Sequence, residues 1–353
     1  MKLKSNEKEF EETPGLVDLQ VNGFGGVDFN SPDLTPEKLQ KSLEAMLTTG
    51  VSTCLPTIIT ASEENMKNCL SNLENSRESI PLAKSMIAGY HLEGPFISKL
   101  EGFSGCHPIQ HISEIDYEMF LRLQEAAEGK ILMITLAPEL EGSIEFIEKV
   151  VSEEIIVALG HTNASSEKIR SAIDAGASIS SHLGNGTSTK LNKNKNPIIA
   201  QLSEDRLYAS FIADGFHLDP EVLKVYLRAK GTERIIITTD ATAGAFAPPG
   251  KYKFGYLDLL VGNEPVVLNK ETSRPIGSAV TLDRCVCNLI NWYGTTLEEA
   301  VKWAGTNGKK LLTTSKTLSF FVNNERKVWW KKEDESWYIK KAQCGNFVFL
   351  NEK

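Results

Sequence analysis

The chain has 353 residues, of which 41% are apolar and 24% are charged. An α/β barrel takes about 250 residues, so this length suits one large core with a small appendage. The net charge of −8 argues against a nucleic-acid partner or an anionic membrane surface. No apolar run reaches the roughly 20 residues of a membrane span, and the charged first residues lack a signal-peptide core. With six scattered cysteines, we expect a cytoplasmic protein with reduced thiols.

Eight short apolar runs alternate with amphipathic stretches between residues 15 and 240. The runs lack polar alternation, which indicates parallel strands buried on both faces. They cover residues 16–21, 51–57, 86–91, 131–137, 155–159, 178–182, 207–213 and 235–239. Between them, Thr35 and Asp219 each precede a proline and an acidic residue, as helix N-caps do. The alternation predicts an α/β fold, a (β/α)8 TIM-like barrel, with an open doubly wound sheet as the alternative.

The end of the chain differs from the barrel in composition. Residues 317–353 are rich in aromatic and β-branched residues, which predicts three or four antiparallel strands. We therefore divide the chain into an N-terminal segment over 1–13, a barrel over 14–312 and an accessory β-sheet over 313–353. The N-terminal segment is a candidate strand of that sheet. Residues 243–250, rich in glycine and proline, are expected to form a loop or a plain turn.

Polar side chains follow several of the predicted strands, at the end where a barrel carries its active site. Glu93 follows the third strand, His161 the fifth, His182 the sixth and Asp240 the eighth. One carboxylate and two imidazoles suit a catalytic Zn²⁺ with an open position for water. Such a metal would supply hydroxide at neutral pH, and Asp240 would take up and return the proton. Because each residue alone could instead be a hydrogen-bonding or capping residue, spacing leaves both interpretations open.

Seven motifs occur in a single order along nearly the whole predicted barrel. They are PGLVDLQVNGFGG (14–26), HLEGPFIS (91–98), LAPE (136–139), GHTNAS (160–165), SHLGNG (181–186), ADGFHLDP (213–220) and TTDATAGAF (238–246). Together they resemble the N-acetylglucosamine-6-phosphate deacetylase family of the amidohydrolase superfamily. The resemblance implies a barrel enzyme that hydrolyses the acetamide of an amino-sugar phosphate to acetate and a free amine.

The resemblance also implies a role for each of eight residues. In it the metal ligands are Glu93, His161 and His182, the acid/base is Asp240, the carbonyl-polarising residue is His107, and the sugar contacts are His217, Asn185 and the Gly186 backbone. The metal is expected to be Zn²⁺, with Fe²⁺, Co²⁺ or Mn²⁺ as alternatives. Family members are commonly dimers, so the resemblance implies a homodimer that binds a small amino-sugar substrate.

The first strand departs from the pattern of many amidohydrolases. Those proteins carry His-x-His there to hold a second metal, whereas this chain has Gln20 and Asn22. Neutral amides are weaker zinc ligands than imidazoles. We therefore predict a single metal. Gln20 is expected to form a hydrogen bond to the metal-bound water or to a metal ligand, and Asn22 is expected to lie beside the metal without binding it.

The segment after the sixth strand departs from the family itself. The arginine that the family uses for the 6-phosphate is missing from residues 187–197, where Lys190, Lys193 and Lys195 are the available cations. Lysine offers a point charge in place of a bidentate guanidinium. The alternative functions are therefore deacetylation of a non-phosphorylated N-acyl amino sugar or another N-acyl substrate, or a non-catalytic sugar-binding barrel.

Overall fold

The strands and helices of the chain form a barrel and smaller antiparallel sheets. The structure, a computed structural model, describes residues 10–262, 266–269 and 275–351, so residues 1–9 of the predicted N-terminal segment and the last two of the predicted accessory sheet lie outside it. The strands are β1 (Glu11–Pro14), β2 (Leu16–Val21), β3 (Gly23–Phe24), β4 (Val27–Asp28), β5 (Val51–Ile59), β6 (Tyr90–Glu93), β7 (Ile131–Leu136), β8 (Ile156–Leu159), β9 (Ile179–Ser180), β10 (Tyr208–Phe211), β11 (Ile235–Ile237), β12 (Gly250–Phe254), β13 (Leu257–Val261), β14 (Val266–Asn269), β15 (Pro275–Ser278), β16 (Arg326–Glu333), β17 (Ser336–Cys344) and β18 (Phe347–Leu350). The helices are α1 (Pro36–Thr48), α2 (Glu63–Ser79), α3 (Pro81–Met86), α4 (Tyr117–Ala126), α5 (Ser143–Ser152), α6 (Ser166–Asp174), α7 (Pro197–Leu202), α8 (Pro220–Lys230), α9 (Leu282–Tyr293), α10 (Leu297–Val301), α11 (Asn307–Leu312) and α12 (Leu318–Val322), with a 3₁₀ turn at Ile109–His111 and a π-helical turn at Lys302–Thr306.

The largest sheet is a ring of eight parallel strands in the order β2, β5, β6, β7, β8, β9, β10, β11. Its first and last strands meet just beyond β11, where Val21 pairs with Ala241. Asn22 N donates to Ala241 O at 2.7 Å, and Asp240 N donates to Gln20 O at 3.0 Å. These contacts close the seam, so the predicted TIM-like barrel is confirmed.

The predicted helix starts are also present. Thr35 precedes α1 and its hydroxyl accepts from Lys38 N at 3.4 Å, while the Asp219 carboxylate before α8 accepts from Glu221 N at 3.1 Å. Each cap satisfies a backbone N–H that has no partner within its helix. The third strand begins later than predicted, because residues 81–86 form α3, and β6 covers Tyr90–Glu93.

One end of the barrel interior is closed by apolar side chains from the C-terminal region. Leu312 and Phe321 pack with residues from the starts of the strands, among them Val17, Ile156 and Tyr208. Phe321 lies on α12, so the prediction that residue 317 already begins the strands was wrong. The interior of the barrel takes up this aromatic side chain, and a helix places it there.

The accessory sheet is antiparallel and four-stranded, in the order β1, β16, β17, β18. Its first strand comes from the beginning of the described chain and its other three from the end. The division at residues 14 and 312 into domains stays a prediction. Among the described residues, no helix combines the length and apolarity needed to cross a bilayer.

A second antiparallel sheet is inserted between β11 and α9. It has the order β12, β13, β14, β15, and its apolar side packs Phe254 and Leu259 against Ile59 at the end of β5. We predicted a loop or turn for residues 243–250, but Gly250 already belongs to β12. The sheet follows the eighth strand directly and therefore lies on the side of the barrel where the strands end.

Candidate active site

Three side chains converge at the C-terminal end of the barrel. Glu93 ends β6, His161 follows β8 and His182 follows β9, and each is at most 5% exposed. One ligand atom from each lies within 4.8 Å of the other two. The Nε2 atoms of His182 and His161 lie 2.6 and 3.3 Å from Glu93 Oε1. The structure thus brings the three predicted ligands together, and their role as ligands stays a prediction.

The backbone at these strand ends is unusual. His161, His182 and Asp240 have φ values of 51°, 27° and 50°, in or near the left-handed region that non-glycine residues rarely adopt. Such conformations persist where the surrounding structure enforces them, and they cluster at functional sites. Each of these residues directly follows a barrel strand or its short extension.

The donor atoms fit a divalent metal. His161 Nδ1 lies 2.8 Å from the carbonyl oxygen of Phe103, which can only accept, so Nδ1 carries the proton. His161 Nε2 faces Glu93 Oε1 and is the ring atom that would be left to bind a cation between them. His182 Nδ1 is buried and has no hydrogen-bond partner among the described residues. Two imidazoles and one carboxylate are a ligand set of catalytic zinc sites.

Two glycines pack against the His161 ring. A Cβ atom at Gly186 would lie 2.6 Å from His161 Cε1, and one at Gly105 would lie 2.8 Å from the same atom. Both residues have positive φ values, so any side chain would meet strain as well as a clash. The sugar contact of the Gly186 backbone stays a prediction, and the structure shows that the absence of a side chain there leaves room for the His161 ring. The preceding residue, Asn185, is half-buried and donates its backbone N–H to His182 O at 2.8 Å.

Gln20 and Asn22 both donate to Asp240. Gln20 Nε2 lies 3.1 Å and Asn22 Nδ2 lies 2.7 Å from Asp240 Oδ1. The same Gln20 nitrogen also lies 2.8 Å from Glu93 Oε1. All four side chains are buried. Gln20 therefore holds both carboxylates through one amide nitrogen, and Asn22 holds Asp240.

Burial and charge shift the pKa values of the site. Burial raises the pKa of Asp240 to about 6. Burial lowers the pKa of His182, but its hydrogen bond to Glu93 and the charge of that carboxylate outweigh the effect and raise it to about 9. Burial raises the pKa of Glu93, yet hydrogen bonds from His161 and His182 hold it well below its usual range. Without a metal, a proton on His182 therefore balances the Glu93 charge that a bound cation would neutralise.

His107 lies beside the converging ligands. Its ring centroid is 4.5 Å from that of His161, and its Nε2 lies 3.7 Å from Glu93 Oε2. Its Nδ1 lies 2.8 Å from the hydroxyl oxygen of Thr60. Burial lowers the pKa of His107 to about 3, so the ring is neutral at pH 7. Sequence reasoning missed Thr60, although a polar residue just after an apolar strand was the available signal.

His217 is paired with a carboxylate that the predicted site did not include. His217 Nδ1 lies 2.6 Å from Asp214 Oδ2, while Asp214 Oδ1 accepts from the backbone N–H groups of Phe216 and His217. Burial lowers the pKa of His217, but the hydrogen bond and charge of Asp214 outweigh it and raise the value. The charge of Asp240 also raises the pKa of His217, and the charge of His182 lowers it. Asp214 lies three residues after the end of the seventh barrel strand, β10, and three residues before His217.

The lysine-bearing segment that follows Gly186 is a structured loop. Asn192 Oδ1 accepts from Asn194 N and Lys195 N, and Asn196 caps α7. The three lysines at 190, 193 and 195 are exposed, and within the described ranges none forms an ion pair. A Cβ atom at Gly102 would lie 2.8 Å from Ser188 Cα, so this loop packs on the segment that leads to His107.

Comparison with known proteins identifies the family. No family model matches the chain. The chain is 32% identical to an N-acetylglucosamine-6-phosphate deacetylase of Bacillus subtilis and 30% identical to one of Haemophilus influenzae. These alignments cover 73% and 82% of this chain, and 65% and 74% of the respective relatives. The chain belongs to the N-acetylglucosamine-6-phosphate deacetylase family of the amidohydrolase superfamily.

A further relative and two solved structures of the family also match the chain. An N-acetylgalactosamine-6-phosphate deacetylase of Shewanella is 33% identical to this chain over 82% of it and 71% of the relative. A Mycobacterium smegmatis family structure, solved as a mutant in complex with N-acetyl-D-glucosamine-6-phosphate, matches with a TM-score of 0.85 and 25% identity, covering 97% of this chain and 87% of that one. A Pasteurella multocida family structure matches with a TM-score of 0.83 and 28% identity at the same coverage. The resemblance stated from the seven motifs is thereby confirmed.

Proposed function

We propose that the chain hydrolyses the acetamide of N-acetylglucosamine 6-phosphate, giving glucosamine 6-phosphate and acetate. The observation that carries the proposal is the convergence of Glu93, His161 and His182 beside Asp240, in a chain of this family. A sugar-binding barrel without turnover has no use for two buried carboxylates and two buried imidazoles at a single point, because their burial is costly. The non-catalytic alternative is therefore disfavoured.

One divalent ion, which we propose to be Zn²⁺, would be held by Glu93, His161 and His182, and would supply an activated water and polarise the amide carbonyl. Fe²⁺, Co²⁺ and Mn²⁺ are the alternatives for this ligand set. The single-metal proposal is supported by Gln20, whose amide nitrogen faces Glu93 and Asp240 while its oxygen accepts from Ser181 Oγ at 3.0 Å. Gln20 thus turns its nitrogen, and not its oxygen, towards the two carboxylates, an orientation that does not suit the binding of a second ion.

The remaining groups supply proton transfer and orientation. Asp240, anchored through Oδ1, takes the proton from the attacking water on Oδ2 and passes it to the departing amine. His107, neutral at pH 7, donates from Nε2 to the carbonyl oxygen of the substrate. His217 has its Nδ1 on Asp214, which leaves its Nε2 to bind a sugar hydroxyl, with Asn185 and the Gly186 backbone beside it.

The 6-phosphate of the substrate would have to be bound by lysines in place of an arginine. The loop over 187–197 has no arginine, and its lysines at 190, 193 and 195 are free of ion pairs within the described ranges. We propose that they attract the 6-phosphate as point charges. The missing arginine is also the observation that favours the alternative, a deacetylase for N-acyl amino sugars without phosphate. The Shewanella relative favours a second candidate, the galactosamine epimer.

Acetate release decides between these substrates. The Zn²⁺-loaded protein would be assayed with N-acetylglucosamine 6-phosphate, N-acetylgalactosamine 6-phosphate and N-acetylglucosamine, beside a Glu93→Ala control. We expect the highest kcat/KM with the first sugar and no turnover by the control. Replacing all three lysines of the loop with alanine should raise KM for the phosphorylated sugar at least fivefold and leave kcat unchanged. Turnover of the unphosphorylated sugar alone would refute the phosphate assignment.

We propose a homodimer, as is common in the family, and a cytoplasmic location. Light scattering coupled to size-exclusion chromatography would test the first, with a mass near twice 39.0 kDa as the expected result. A mass of a single chain at assay concentration would refute it.

A further inference from the structure

Three buried polar side chains that have no role in the proposed reaction, Ser181, Thr135 and His91, are connected to Gln20 by hydrogen bonds. Ser181 Oγ donates to Gln20 Oε1 at 3.0 Å, and Thr135 Oγ1 donates to Ser181 Oγ at 3.3 Å. The Thr135 oxygen in turn lies 2.7 Å from His91 Nε2. His91 lies on β6, Thr135 on β7 and Ser181 directly after β9, and all three are at most 3% exposed. They form a continuous chain of hydrogen bonds across the barrel interior towards Gln20.

The chemistry of the groups fixes the direction of this chain at its inner end. The amide oxygen of Gln20 can only accept, so Ser181 must donate its single proton to it. With that proton committed, the Ser181 oxygen is left to accept, and Thr135 supplies the donor. The turned-over amide would place its oxygen against two carboxylate oxygens, at 2.8 and 3.1 Å. Both amide protons of Gln20 are therefore assigned to Glu93 and Asp240.

We infer that Ser181, supported by Thr135, is a positioning residue that acts through Gln20 on both Glu93 and Asp240. By satisfying the buried Gln20 oxygen, Ser181 keeps the amide plane in the orientation in which one nitrogen holds both carboxylates. Without that donor, a buried carbonyl loses its only hydrogen bond among the described residues, and the amide is free to tilt towards another one. The metal-ligand and proton-transfer carboxylates would then lose their common anchor. The kinetic part of this inference rests on the proposed function.

The test is a double-mutant cycle between Ser181→Ala and Gln20→Ala. We expect Ser181→Ala to lower kcat about tenfold with KM within twofold of the parent, and to raise the Kd for Zn²⁺ about tenfold, as loss of a ligand-orienting group does. In the Gln20→Ala background, Ser181→Ala should change neither quantity further, because its effect passes through the missing amide. Thr135→Val should change kcat and the Kd for Zn²⁺ in the same direction but by a smaller factor. Thr135→Ser, which keeps the hydroxyl, should have parental values of both.

A matched control lies next to the residue under test. Ser180 is fully buried, and its hydroxyl has no hydrogen-bond partner among the described residues, so Ser180→Ala removes a buried hydroxyl without breaking the chain. It should keep the parental kcat and Zn²⁺ affinity. Equal losses in Ser180→Ala and Ser181→Ala, or additive losses in the cycle, would overturn the inference and indicate a general packing effect. Parental values in Ser181→Ala would overturn it as well.

The metal measurement separates this inference from the proposed function. Titration of the apo-protein with Zn²⁺ alone, in competition with a chromophoric chelator, needs no substrate. If no amino sugar is turned over, the proposed function fails while the Zn²⁺ cycle still decides the role of Ser181. If turnover is normal and the Zn²⁺ cycle is additive, the inference fails alone.

Discussion

The Asp240→Asn substitution tests the proton-transfer role with little disturbance to the fold. Both hydrogen bonds to Asp240 are donated to one oxygen, Oδ1, by Gln20 and Asn22. The carbonyl oxygen of an asparagine can accept both, and its NH₂ group then takes the place of Oδ2. The variant keeps the shape and the anchoring contacts and loses only the charge and the proton acceptor. Because burial disfavours the charged form, we expect a change in unfolding free energy below about 0.5 kcal/mol.

The effect on turnover should be far larger. A positioned general acid–base contributes about 10²–10⁴-fold to a rate, which corresponds to about 3–5.5 kcal/mol in the activation barrier. The assay is kcat for acetate release from N-acetylglucosamine 6-phosphate by the Zn²⁺-loaded variant, with thermal unfolding and Zn²⁺ affinity measured in parallel. Glu93→Ala serves as the contrasting variant, since it should lose Zn²⁺ affinity together with activity. If Asp240→Asn kept more than a tenth of the parental kcat, Asp240 would not be the base.

Three more substitutions test the structure around and away from the site. Thr60→Val keeps the volume of a buried residue but removes the hydroxyl beside His107 Nδ1, and we expect kcat to fall about twofold to tenfold. Thr60→Ser, which keeps the hydroxyl, should have a kcat near the parental value. An unchanged kcat in Thr60→Val would show that the hydroxyl does not orient the ring. Glu74→Gln breaks a buried pair with Arg77 and should cost about 3 kcal/mol in urea unfolding at pH 7. Burial raises the pKa of Glu74, but hydrogen bonds from its basic neighbours outweigh it and lower the value from 4.5 to about 2; the stabilisation is therefore complete above pH 4.5 and declines as the pH falls towards 2, so the difference between parent and variant should be smaller at pH 3.5 than at pH 7. A constant difference would contradict that origin. Phe321→Ala empties one end of the barrel interior and should cost about 3–5 kcal/mol of unfolding free energy while leaving kcat at parental values, and a large loss of kcat would show that the two ends of the barrel are coupled.

The barrel could be predicted because its physical signal is local. A strand that is buried on both faces is mostly apolar and lacks the polar alternation of a half-exposed strand, and the six residues of β2 and the nine of β5 are all buried. The position of the site follows from the same pattern, since polar residues such as Glu93 and His182 stand directly after apolar strands. Closure of the ring then brings strand ends together that are distant in sequence.

The features that sequence reasoning missed depend on contacts between distant residues. The strands of the inserted sheet, such as β12, alternate between exposed and half-buried positions, and their glycines resemble those of a loop. The sequence of α12 predicts a strand because its aromatic residues have high β-propensity. The helix forms because it places Phe321 in the end of the barrel interior, a contact that the local sequence does not show. Thr60 and Ser181 carry no chemistry of their own. Their importance appears only when His107 and Gln20, 47 and 161 residues away, are placed beside them.

The contacts between the first and eighth strands both close the barrel and position residues of the site. Asp18 accepts from the hydroxyls of Thr238 and Thr239, each at 2.6 Å, and so joins β2 to the residues just after β11. Two residues further along the first strand, Gln20 holds Asp240, which follows directly after Thr239. The position of the proposed base is therefore set by the register in which the first and eighth strands meet. A barrel that closed in another register would keep its apolar core and lose the pairing of Gln20 with Asp240, so the hydrogen bonds of Asp18 help to determine the chemistry as well as the fold.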